Sequence, residues 1–150
     1  MLVGGLIAGG ASDVFGRKLT LLTSLLINAV AGAASALAPN WPALAALRII
    51  SGLGVGGSIP SVFTIYVEFL PLDNRGFWLT IVAWFWMIGS IFTAGVAWIL
   101  IGYLGLSWRI FALVCAGPAT LALILGIFLL PESPRYYYAK GLLGKCRTTL

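Results

Sequence analysis

The sequence predicts an all-α membrane protein, a helical bundle, and three observations carry that prediction. Of its 150 residues 61% are apolar and 9% charged, where soluble domains carry about 25% charged residues, and the mean hydropathy is +1.06. The charges gather in short clusters, leaving four apolar stretches near the roughly 20 residues that cross about 30 Å of hydrocarbon. No stretch alternates polar with apolar residues, and each is too long for a barrel strand. Backbone in lipid must then satisfy its own hydrogen bonds as helix.

The first element, Met1 to Ala11, would rise only about 16 Å as a helix, so it reads as the truncated end of a longer one. A signal peptide is the alternative. It is disfavoured by the missing basic leader, by Gly4 and Gly5 within the apolar run and by Asp13 directly after it. A charged turn follows, made of Gly9, Asp13, Gly16, Arg17 and Lys18. The full spans are Leu19 to Ala38, Pro42 to Val67, Phe77 to Ile101 and Ile110 to Leu130. Residues 131–150 begin a polar, basic cytoplasmic segment, so residues 1–150 read as one partial transmembrane bundle.

Seven of the nine basic residues fall at 12–18, at 68–76 and after 131, and basic loops face the cytoplasm. Arg48 and Arg109 lie toward the opposite side. The net charge of +5 is therefore a topology signal, and nucleic acid is excluded as a partner. With no histidine, and with its two cysteines apart at Cys115 and Cys146, the chain offers no metal site, no cofactor site and no catalytic residues. Gly52, Gly54 and Gly57 match the glycine spacing of a dinucleotide loop, but that loop needs a preceding strand. In an apolar span, Gly52, Gly54 and Gly56 fit close helix packing instead.

Arg48 lies about six residues, or roughly 9 Å, inside its helix. An arginine near the helix centre costs about 2.5 to 3.5 kcal/mol even on lenient insertion scales. It either snorkels to the interface or faces a cavity, where it attracts an anion or holds a carboxylate. Sharing a face with Ser51, Gly52 and Gly56 favours the cavity. On the next span Trp86, Ser90 and Thr93 share one face, with Trp86 near the membrane midplane. An aromatic plate with two hydroxyls suits a mostly apolar ligand site; alternatively, the hydroxyls bond their own backbone. Pro118 should bend the last span.

Several motifs in fixed order resemble the major facilitator superfamily. Gly9, Asp13, Gly16, Arg17 and Lys18 are similar to its loop between helices two and three. Arg48, Gly52, Gly54 and Gly56 resemble R-x-x-x-G-x-G-x-G of helix four. Tyr66, Glu68, Pro71, Arg75 and Gly76 resemble the motif after it, and Pro131 to Arg135 the P-E-S-P-R closing helix six. Trp86-Met87-Ile88-Gly89, Ala97-Trp98 and Ser107-Trp108-Arg109 look most like the synaptic vesicle glycoprotein and related-protein branch.

The resemblance implies a major-facilitator-type N-terminal half, from the end of helix two through helix six. It also implies alternating-access transport of a small organic solute, with an organic ion or metabolite as cargo and protons as a candidate coupling ion. Asp13, Arg17, Glu68, Arg75, Glu132 and Arg135 would be gating and bracing residues. Absent proline in the fifth helix disfavours drug antiport, and absent glutamine disfavours a sugar porter. A non-transporting scaffold or receptor is the other alternative. Transport would need a first helix and a second bundle from the same or another chain. The expected setting is the lipid bilayer, as a multi-pass protein of the plasma membrane by default or of an intracellular vesicle.

Overall fold

The computed structural model describes residues 1–70 and 74–130, apart from the Asp13 side chain. Pro71, Asp73, Glu132, Arg135 and the polar segment from 131 lie outside the described residues. The described elements are all helical: α1 (Leu2–Phe15), α2 (Arg17–Ser35), α3 (Trp41–Phe69), α4 (Arg75–Ala97) continued by a π-helical segment (Trp98–Tyr103), and α5 (Trp108–Leu129). Four are long and apolar enough to cross a membrane, counting Arg75–Tyr103 as one. The all-α membrane bundle read from the sequence is the observed fold class.

Helix ends follow local chemistry. Gly16 alone separates α1 from α2, at φ 97° and ψ 155°, a conformation that side-chain-bearing residues avoid. Thr20 closes the restart, its hydroxyl donating to Gly16 O at 2.9 Å. Asn40 is extended ahead of Trp41-Pro42, which places proline in the first turn of α3, where no amide donor is needed. Ser107 caps α5 by accepting from the Arg109 amide at 3.4 Å. The bend expected at Pro118 does not divide α5, which is a single helix through that residue, as α3 is through Pro60.

Packing centres on α3. Its largest contact is with α2, and it also carries α1; α2 in turn packs on α5. Small residues set the separation. A Cβ on Gly54 would meet Asn28 N and Ser24 O of α2 at 2.8 Å, and one on Gly57 would meet Ala8 Cβ of α1 at 3.0 Å. Gly56 lies against Met1 O and Gly4 against Leu53 O. Gly52 differs from its neighbours, since a Cβ there meets nothing nearer than Met1 N at 4.0 Å. The close-packed glycines of α3 are thus 54, 56 and 57.

Two long cations tie α2 to α5 at both ends. Lys18 Nζ, in the first turn of α2, donates to Ile127 O at 3.5 Å. Arg109 Nη2, in the first turn of α5, donates to Ala38 O at 3.3 Å. The helices are therefore antiparallel, and each supplies a cation to the other's carbonyl end, where the helix dipole favours positive charge. By contrast α4 has no buried residue and touches the other helices only marginally.

Candidate functional site

Two polar sites occupy opposite ends of α3. At the Gly16 end, Arg17 Nη1 meets Glu68 Oε1 at 2.6 Å, with the side chains 24% and 3% exposed. The one-residue turn at Gly16 places Arg17 at the start of α2, facing the last turn of α3. A carboxylate this buried depends on its cation, because desolvation would otherwise dominate. Ser12, whose hydroxyl donates to Gly9 O at 2.7 Å, lines a cavity of about 50 Å³ with Arg17 and Thr64. Lys18 turns away toward α5. Arg75 opens α4 with its Nε shielded from solvent and without a hydrogen-bond partner among the described residues.

At the other end, Arg48, Ser51, Asn28, Thr93 and Cys115 line a cavity of about 190 Å³ contributed by α2, α3, α4 and α5. Ser51 Oγ donates to Asn28 Oδ1 at 2.7 Å. Among the described residues Arg48 has no ion pair, and no acidic residue of the sequence falls between Asp13 and Glu68. Cys115 is a free thiol.

The sequence placed Arg48, Trp86, Ser90 and Thr93 together as ligand candidates. The structure brings Arg48 and Thr93 to one cavity but sets Trp86 in another, an apolar groove of about 410 Å³ beside Leu25, Val62 and Phe63. Ser90 is exposed, and its hydroxyl donates to Trp86 O at 3.0 Å; that of Thr93 donates to Gly89 O at 2.9 Å. Both protons are thus held by the helix's own backbone, and only the hydroxyl lone pairs remain to face a ligand. Sequence reasoning missed Asn28, although it is an amide within an apolar span and such groups are uncommon in lipid-facing helices.

A helical bundle with an arginine at membrane depth and an arginine–carboxylate pair at one end narrows the possible families. The model of the family described as "Sugar (and other) transporter" matches residues 1–150. The chain belongs to that family. It is 39% identical to synaptic vesicle glycoprotein 2B of Rattus norvegicus over 94% of this chain and 22% of that protein. It is equally 39% identical to synaptic vesicle glycoprotein 2A of Homo sapiens, over 94% of this chain and 20% of the relative. The chain therefore spans about a fifth of the length of these relatives. The resemblance to the major facilitator superfamily and its synaptic vesicle glycoprotein branch holds, and the chain is a multi-pass membrane segment.

Proposed function

We propose that this chain forms part of a secondary transporter that moves a small organic ion or metabolite across a membrane by alternating access, without enzymatic chemistry. The observation that carries this reading is the division of labour along α3: a paired charge site at one end and a cation-lined cavity at the other. A cation lining a cavity within an apolar span is costly in a bilayer unless the cavity receives something. A pair such as Arg17–Glu68 can hold one conformation and release another, which is what a two-state carrier requires.

In this reading the Gly16 end faces the cytoplasm. Asp13, Arg17, Glu68, Arg75, Glu132 and Arg135 brace the closed state on that side, and the second bundle comes from the remainder of the same or another chain. Vesicle membranes are the favoured setting, because the similar proteins are named for them. Uptake by the full-length gene product tests the function, using a panel of organic anions, organic cations and sugars with and without a proton gradient. Concentrative or saturable uptake of any panel member supports transport; no uptake of any solute at confirmed membrane insertion favours a scaffold or receptor.

A further inference from the structure

Asn28, Arg48 and Cys115 form a layer. Each sits about seven residues, or ~10 Å, from the helix end farther from Gly16, counting from Ser35 of α2, Trp41 of α3 and Trp108 of α5. The cavity they line is rich in donors. Arg48 contributes a planar guanidinium with five N–H groups. Because the Asn28 oxygen already accepts from Ser51, its NH₂ keeps both protons for a ligand. No carboxylate among the described residues shares the cavity. Donors in excess of acceptors, around a cation that no carboxylate among the described residues neutralises, suit a planar anion, since a guanidinium binds a carboxylate through two parallel hydrogen bonds.

We propose that Arg48, Asn28 and Ser51 form a binding site for the carboxylate of a small organic anion, with the Cys115 thiol in its wall. This deepens the transport reading by naming the charge of the cargo, and it rests on that reading only for the claim that the anion is carried onward. The shared chemistry is a carboxylate. Its source is a free solute, and a side chain from another segment of the protein is the competing source that the experiment separates.

The thiol makes the site readable without transport. Full-length protein in proteoliposomes is treated with anionic sulfonatoethyl or cationic trimethylammonioethyl methanethiosulfonate. Each transfers its thioalkyl group to the Cys115 thiolate as a mixed disulfide and releases methanesulfinate. Modification is followed by the mass of the Cys115 peptide, with rates normalised to a free thiol in solution. The anionic reagent should react at least about tenfold faster than the cationic one, as clefts of one charge concentrate opposite ions. Benzoate should slow the reaction where tetraethylammonium does not. Arg48→Gln should bring the two rates together, while Arg48→Lys should keep the bias and lose the benzoate protection.

Equal normalised rates in the unaltered protein, no reaction with either reagent, or no protection by benzoate would each overturn the proposal. A carboxylate from elsewhere in the protein paired to Arg48 gives that same unbiased, unprotected pattern. The bias is measured on the unaltered protein, so a variant that fails to fold does not decide the matter. Biased, protected labelling without uptake of any solute would retain the anion site and remove the transport reading. Uptake with unbiased labelling would do the reverse.

Discussion

Two arginines on neighbouring helices show what a membrane does with the same group in two settings. Arg17 has a carboxylate at 2.6 Å and acts as a structural clasp between α2 and α3. Arg48 faces a cavity with an amide, two hydroxyls and a thiol, and among the described residues no carboxylate pairs with it. A guanidinium at the membrane's edge can be satisfied by a fixed partner. One at depth without such a partner is a standing demand for an anion. Charge identity alone therefore does not reveal the role; the distance to the nearest acid does.

The comparison can be broken at its paired end with the largest effect. Arg17→Ala takes the guanidinium at 2.6 Å away from a carboxylate that is 3% exposed, and losing one member of a buried pair costs on the order of 3 kcal/mol. The full-length protein should unfold at a distinctly lower temperature in detergent, and the swapped pair Arg17→Glu with Glu68→Arg should recover part of the loss. Unchanged melting for Arg17→Ala would show the pair to be ornamental.

Next is the spacer between the two sites. Gly54→Ala places a Cβ against α2 backbone atoms at 2.8 Å, and overpacking of this kind costs about 1–3 kcal/mol. Because Ser24 and Asn28 are the atoms displaced, the Arg48 cavity should loosen as well. The corresponding Gly52→Ala change, with open space around it, should be nearly neutral. Melting temperatures of the two variants measured side by side check this contrast.

Arg48 should show the opposite profile, with little loss of stability and a large loss of function. Arg48→Lys should lower uptake about tenfold at matched surface abundance, because lysine keeps the charge but loses the planar fork, and Arg48→Ala should abolish uptake. A lipid-snorkelling arginine would tolerate lysine, so wild-type uptake in Arg48→Lys would return the residue to the interface. The smallest effect belongs to the tie at the α2 start. Lys18→Ala should cost about 0.3–1 kcal/mol, seen as a slight fall in melting temperature.

The four long apolar stretches were legible as helices because length and composition suffice for that inference in a bilayer. Which faces meet was not. The sequence grouped Trp86 with Ser90 and Thr93 by helical periodicity within α4, yet Trp86 and Thr93 line different cavities, and periodicity says nothing about which helix lies opposite. Arg17 and Glu68 were grouped only through family resemblance, since a separation of 51 positions hides a contact that folding creates. The Asn28–Ser51 bond was invisible for the same reason. The sequence read Gly52, Gly54 and Gly56 of α3 as packing residues, but helix rotation decides that positions 54, 56 and 57 are crowded while 52 has room.

The reciprocal ties of Lys18 and Arg109 bear on how the protein meets bilayers of unequal thickness. By rise per residue α2 is about 28 Å long and α5 about 33 Å, so neither length matches every membrane, and helices relieve such hydrophobic mismatch by tilting. Because each helix is pinned to the other's carbonyl end, one cannot slide along its neighbour without giving up a charge-assisted bond. The two must lean as a single strut, and a thinner membrane would then change the inclination of the whole pair while leaving its internal register intact.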